Sequence, residues 1–139
     1  MAAATTRSLT FQFVLPAPPL QVYKAWLNSK EHSALSGSKA VIRARVGAKY
    51  TAWDNYISGK NLELQPGRKI VQSWRTTEFP DDSPDSRIEI RLSPHAKGTR
   101  FVFKHTKIPA GQAGQYKIGW RDYYWKPMQK YFASKDHDR

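Results

Sequence analysis

Between Arg87 and His105 two runs of residues repeat with a period of two, and after Pro109 the spacing lengthens to that of a helix. Ile88, Ile90 and Leu92 stand between Arg87, Glu89 and Arg91; Phe101, Phe103 and His105 stand between Arg100, Val102 and Lys104, with Lys97-Gly98 as the connecting turn. A period of two sends one set of side chains to one face of a strand, so these are two antiparallel strands sharing an apolar face. Tyr116, Trp120, Tyr123, Tyr124, Met128, Tyr131 and Phe132 then form a broad apolar stripe on a long C-terminal helix. Neither face can stay in water, and each is the natural cover for the other, which makes this an α+β chain with sheet against last helix. Pro127 removes a backbone donor inside that helix and should bend it.

The remainder fits the same plan. Leu9, Phe11 and Phe13 alternate with polar neighbours until Pro16 ends the strand, and Pro18-Pro19 opens a helix reaching Asn28. A shorter helical turn follows over Ser29 to Leu35, with Ser29 as its cap and Gly37 as its stop. From Lys39 the alternation predicts a strand with Ile42, Ala44 and Val46 on one face and Arg43 and Arg45 on the other. Lys49 to Trp53 and Tyr56 to Leu64 flank Asp54-Asn55, which suits a tight hairpin. Pro66-Gly67 turns into Lys69 to Thr76, and Glu78 to Pro84 reads as a longer loop. The sheet is expected to be a curved antiparallel meander of about six strands.

A length of 139 residues is expected to hold one domain, with its core over about residues 8–132 and short flexible termini. No apolar stretch is long enough to span a membrane, and Met1 to Arg7 does not read as a signal peptide, so a cytoplasmic protein is expected. With no cysteine, disulfides, thiolate nucleophiles and cysteine-ligated metals are excluded. The 23 Lys and Arg against 11 Asp and Glu give a net charge of +12, which favours polyanions, acidic proteins or anionic membrane surfaces alike. These residues are spread along the whole chain, so they are not a disordered basic tail.

An ordered set of short motifs points further. Gly47-x-Lys49-Tyr50, Ile57-Ser58-Gly59, Leu64-x-Pro66, Ile70-Val71-x-x-Trp74-Arg75, Gly98-Thr99, Ile108-Pro109 and Gly119-Trp120-x-x-Tyr123-Tyr124 occur in that order. Together they resemble the family of activators of the heat-shock protein 90 ATPase, over roughly Ser8 to Phe132. The resemblance implies a helix-grip fold of the START-like class, in which a curved sheet wraps a long C-terminal helix. It also implies a non-enzymatic co-chaperone-like role, with a heat-shock protein 90-type chaperone as partner. In two-domain activators of this family the module corresponds to the C-terminal domain, and a separate N-terminal domain supplies much of the ATPase stimulation. Two positions depart from the family pattern: Ala48 stands where a second glycine is common, and Asp54-Asn55 replaces an Asp-Gly turn.

Two candidate sites follow. Arg43, Arg45, Arg87 and Arg91 on alternating strand faces could build a positive surface for the chaperone. The alternative function is that of a carrier or sensor for a small hydrophobic or aromatic ligand, in a pocket lined by Trp74, Phe101, Phe103, His105, Trp120 and Tyr124. Simple core packing of these side chains is the plainer account and is favoured over the pocket. For His105 a hydrogen-bonded core histidine is favoured over catalysis; a cyclase-like enzyme, which would need an acid or hydroxyl beside it in the cavity, ranks last. His32, His95, His105 and His137 lack paired metal-ligand spacing, and Asp81, Asp82 and Asp85 lack the pattern of a calcium loop. No catalytic residue, metal or cofactor is expected, nor any specific nucleic-acid contact, and the chain is expected to be a monomer.

Overall fold

A computed structural model describes residues 6–137 of the chain. Its sheet is built from β1 (Thr6–Leu15), β2 (Lys49–Ala52), β3 (Ile57–Gln65), β4 (Lys69–Thr76), β5 (Ser86–His95) and β6 (Gly98–Pro109). All pairings are antiparallel, in the spatial order β1-β6-β5-β4-β3-β2. β2 to β6 is the expected meander, and β1 closes it by pairing with the last strand. Helices α1 (Pro19–Trp26) and α2 (Ser29–Ser36) fill the connection from β1 to β2. The C-terminal helical run consists of α3 (Ala113–Trp120), a π-helical turn over Arg121–Trp125, and α4 (Lys126–His137). Of the termini expected to be flexible, Thr6 and Arg7 belong to β1 and 133–137 to α4, whereas 1–5 and 138–139 lie outside the described residues.

The alternations of β5 and β6 register as the spacing predicts. Ile88 faces His105, Ile90 faces Phe103 and Leu92 faces Phe101 across the ladder, and all six are buried. Trp120, Tyr124, Trp125, Met128 and Phe132 from the helical run are buried with them. Each such side chain taken out of water contributes roughly 1.5–3 kcal/mol, which is why this sheet–helix interface dominates the fold.

The helical stripe needs one correction: Tyr123 is 58% exposed, while Trp125, absent from the predicted stripe, is only 6% exposed. Pro127 offers no N–H to the carbonyl four residues back, so the α register cannot continue through it. The feature found there is the π turn, in which the Lys126 N–H bonds to the carbonyl of Arg121, five residues back. The wider turn brings Trp120 and Trp125 into a stacked pair 5.4 Å apart and buries Tyr124 beside them.

A second correction concerns the strand predicted from Lys39, which is absent apart from a single bridge between Val41 and Thr51. Side chains satisfy the backbone that a neighbouring strand would have met. Ser29 Oγ accepts from the Ile42 N–H at 2.8 Å and donates to the Ile42 carbonyl at 3.0 Å, and Ser33 Oγ accepts from the Ala40 N–H at 2.9 Å. Asn61 Nδ2 donates to the carbonyls of Arg43 and Arg45 at 2.7 and 3.0 Å. Ile42 is therefore buried, but Ala44 and Val46 are exposed. Because Ser29 is occupied in this way, Asn28 caps α2 in its place, its Oδ1 accepting from the Glu31 N–H at 2.9 Å. Gly37 ends α2 in the left-handed conformation, as expected.

Candidate functional site

The β2–β3 turn, β4 and the first half of the C-terminal helical run enclose a cavity of about 350 Å³. Its walls are Trp53, Tyr56, Ile57, Trp74, Tyr116, Gly119, Trp120, Tyr123 and Tyr124. Trp53, Asp54 and Asn55 all take left-handed backbone, with φ of 50°, 53° and 73°. Asn55 thus meets the demand of the family's Asp-Gly turn, and Ala48, with no positive φ, needs no glycine. The turn brings the Trp53 ring edge-on to Tyr123 at 5.3 Å, at the exposed rim. Tyr56 donates its hydroxyl to Glu78, whose carboxylate also accepts from Gln115 Nε2 at 3.1 Å. Tyr116 donates to Gln112 Oε1 at 2.6 Å, and its oxygen lies 2.7 Å from Thr76 Oγ1.

Of the predicted pocket residues, Trp74, Trp120 and Tyr124 line the cavity. Phe101, Phe103 and His105 do not; they have no exposed surface and form the core layer behind it. Trp53, Tyr56, Tyr116, Gly119 and Tyr123 were not among the predicted pocket residues, although Tyr116 and Tyr123 stood on the apolar helical stripe and Trp53 and Tyr56 flanked the turn signal.

His105 is fully hydrogen-bonded. Nδ1 accepts from Trp120 Nε1 at 3.0 Å, and Nε2 lies 2.8 Å from Ser86 Oγ, which donates to the Trp74 carbonyl at 2.6 Å. Burial pulls its pKa down to about 3, so the ring is neutral. A hydroxyl does stand beside this histidine, but both sit in the closed core and the hydroxyl proton is committed to a carbonyl. His32 is a second buried histidine: Nδ1–H donates to the Trp26 carbonyl at 2.8 Å, and Nε2 accepts from the Tyr124 hydroxyl at 2.8 Å. Burial pulls its pKa down to about 4, against the opposing effect of the backbone bond. Burial also pushes the Tyr124 phenol far above its ordinary value, with the neighbouring Trp53 acting in the opposite direction. Among the described residues no cluster of three or more His, Asp or Glu could hold a metal ion.

The four predicted surface arginines come from two places in the fold, an irregular segment outside the sheet and strand β5. Arg43 and Arg45 project from the irregular segment held by Asn61, are exposed, and make no ion pair among the described residues. Arg87 and Arg91 lie on β5 and grip one carboxylate, Arg87 Nη1 to Glu89 Oε1 at 3.1 Å and Arg91 Nε to Glu89 Oε2 at 2.6 Å. Lys49 and Lys60 stand directly opposite each other on β2 and β3, beside the Arg45–Asn61 contact.

An antiparallel sheet laid along a long C-terminal helix, with an aromatic pocket at one end of their interface, defines a helix-grip domain of the START-like class. Within that class, the chain belongs to the family described as Activator of Hsp90 ATPase homolog 1-like protein, whose model matches residues 16–133. It is similar to the activator of 90 kDa heat shock protein ATPase homolog of Dictyostelium discoideum, with 27% identity covering 84% of this chain and 30% of that protein. It is also similar to the human activator homolog 1, with 23% identity covering 92% of this chain and 38% of that protein. The chain therefore spans about a third of the length of these curated relatives.

Among solved structures, an HSP90 activator from Plasmodium falciparum superposes with a TM-score of 0.75 at 23% identity, over 87% of this chain and 91% of that one. The protein MLL2253 of Mesorhizobium loti does so with a TM-score of 0.78 at 16% identity, over 92% and 98% of the two chains. These likenesses establish the fold. No helix among the described residues is long and apolar enough to cross a membrane.

Proposed function

We propose that this domain is a non-enzymatic, cytoplasmic binding module for a heat-shock protein 90-type chaperone. The observation that carries the reading is the family match over residues 16–133, with relatives named as activators of that chaperone's ATPase. Docking is the proposed activity; stimulation of the ATPase is a property of relatives of which this chain spans about a third.

Charge supports the docking reading. Arg43 and Arg45 are exposed and free of ion pairs among the described residues, and the Lys49–Lys60 pair sets like charges opposite each other in the ladder. Such a pair is destabilising in isolation and is relieved by a shared anion. An acidic chaperone surface would supply one and speed association. Arg87 and Arg91 add less, because Glu89 already neutralises part of their charge.

Calorimetric titration into the cognate chaperone with nucleotide, at low and moderate salt, tests the proposal. Saturable binding that weakens with salt is expected, with Arg43→Glu/Arg45→Glu reducing affinity by more than tenfold and Arg87→Glu/Arg91→Glu by less. Absence of binding at both salt concentrations rejects the chaperone; binding unchanged after all four reversals rejects this surface.

A further inference from the structure

We infer that a second cavity, on the face of the sheet turned away from the helical run, is a binding site for a diphosphate group. Arg68, Lys69 and Arg91 line this solvent-open cavity of about 380 Å³, and no carboxylate lines it. Backbone geometry brings the three cations together. Pro66 and Gly67, the latter with a φ of 71°, hold the two central positions of the turn between β3 and β4, and the Arg68 N–H closes that turn on the Gln65 carbonyl at 2.9 Å. The Arg68 carbonyl accepts from the Leu92 N–H at 2.8 Å, which ties the turn to β5. Lys69 then stands directly opposite Arg91 in the β4–β5 ladder. Arg91 and Ser93 alternate with the buried Ile90 and Leu92, so they face away from the core.

Like charges directly opposite each other are unfavourable, and the carboxylates nearby relieve this pair from one side only. Val71 is paired with Glu63 on one neighbouring strand and with Glu89 on the other, which places both carboxylates one row along the same face. Glu63 holds Lys69 Nζ at 3.3 Å and Glu89 holds Arg91 Nε at 2.6 Å. Each is shared, Glu63 with Gln65 and Glu89 with Arg87, so neither is a whole counter-charge. Both Nη groups of Arg91 and the whole guanidinium of Arg68 make no hydrogen bond or ion pair among the described residues. Arg100, opposite Ser93 in the ladder, adds a fourth positive charge beside the cavity. Guanidinium forks match the oxygens of phosphate, and three partly met cations call for more charge than one carboxylate brings. A single phosphate has only a few heavy atoms, whereas the cavity has room for on the order of ten waters at ~30 Å³ each. Two linked phosphates fill it better and offer separate oxygens to Arg68 and to the Lys69–Arg91 pair. No aromatic side chain lines the cavity, so a nucleobase would find nothing to stack on, and recognition stops at the diphosphate whatever carries it.

The test titrates 15N-labelled protein with inorganic diphosphate, orthophosphate and ADP, at low salt and with a chelator present. The expected result is saturable binding of diphosphate, at least tenfold tighter than orthophosphate, with ADP within threefold of diphosphate. Backbone amide shifts should concentrate at Arg68, Lys69 and Arg91 to Ser93 and spare Arg43 and Arg45. Arg68→Gln should weaken diphosphate binding at least fivefold with an unchanged melting temperature, because this exposed side chain has no partner to lose. Arg43→Gln removes the same charge from another exposed position and should leave the affinity unchanged. No saturable binding of diphosphate, or equal affinity for the two inorganic anions, would overturn the proposal. So would shifts spread over all basic residues, or equal losses in the two variants, since either would mean that only the overall charge of +12 attracts the anion. ADP more than threefold tighter than diphosphate would place recognition in the nucleoside and reject the site as drawn. The wild-type titration decides the matter even where a variant does not fold.

Discussion

Trp120 donates its indole N–H to Nδ1 of His105 at 3.0 Å, and this bond sets the tautomer of a histidine with no exposed surface. Indole can only donate, so Nδ1 carries no proton; Nε2–H donates to Ser86 Oγ, whose own hydroxyl donates a hydrogen bond to the Trp74 carbonyl. One polar chain thus joins α3, β6, β5 and β4 through the centre of the sheet–helix interface. Trp120→Phe keeps a ring but leaves Nδ1 buried without a donor, at a cost of about 1–3 kcal/mol for the unmet group in addition to lost packing. Urea unfolding with an unchanged m-value should show at least that loss, and a change within error would mean that the bond has no energetic weight.

His32 and His105 predict how stability follows pH. Their pKa values fall from 6.5 to about 4 and about 3 because burial disfavours the charged ring. Below pH 6.5 the unfolded chain takes up protons that the folded chain refuses, so their contribution is whole above pH 6.5 and is lost as pH falls through the window down to 4 and 3. Each pH unit in that window costs about 1.4 kcal/mol per histidine, or about 4 kcal/mol for the two at pH 5. Unfolding free energies at pH 7.5, 6 and 5 check this above the range where ordinary carboxylates titrate. A flat profile between pH 7.5 and 5 would contradict the neutral, buried state of both rings.

Gly59 of β3 lies against the Ser73 carbonyl of β4. A Cβ at this position would stand 1.9 Å from the Ser73 carbonyl oxygen and 2.7 Å from the Tyr50 ring, whose hydroxyl is itself bonded to that carbonyl at 2.7 Å. Backbone and a pinned ring cannot both yield, so Gly59→Ala should destabilise by about 3 kcal/mol or more, at the upper end of overpacking costs. Thermal unfolding measures it, with Gly119→Ala as the contrast expected to be neutral or stabilising by up to about 1 kcal/mol. Similar melting temperatures for the two variants would refute the assignment of these glycines.

What the sequence made legible depended on where the partner of each residue lies. Ile88, Ile90, Phe101 and Phe103 are adjacent in the ladder and meet one helix, so alternation alone placed them on the buried face. Val41 to Val46 alternate as well, yet their partners are the hydroxyls of Ser29 and Ser33 and the amide of Asn61, side chains whose approach no periodicity encodes. Trp125 escaped the helical stripe because the π turn shifts every later residue around the axis. Alternation also gives the face of a strand but not the depth along it: Trp74 and His105 both point inward, and only the placement of Trp53 and Tyr123 decides that the first borders a cavity while the second is sealed behind it.

Asn61 connects the core to the arginines proposed to meet the chaperone. Trp26 Nε1 donates to Gln72 Oε1 at 3.1 Å, Gln72 Nε2 donates to Asn61 Oδ1 at 2.8 Å, and Asn61 Nδ2 donates to the Arg43 and Arg45 carbonyls. All three side chains of this relay are buried, so each unmet group is costly. Asn61→Ala should lose about 2–4 kcal/mol, and a double-mutant cycle with Gln72→Ala should give a coupling of about 1–3 kcal/mol. Amide exchange should accelerate from Arg43 to Val46, because that segment loses the side-chain anchor of its Arg43 and Arg45 carbonyls, whereas the Gly47 N–H keeps its bond to the Asn61 backbone carbonyl at 2.8 Å. If Arg43 and Arg45 contact the chaperone, affinity should fall in the same variant although no charge has changed, since a loosened segment must be ordered again on binding. Faster exchange with undiminished affinity would separate the two claims, leaving the relay intact and removing this segment from the docking surface.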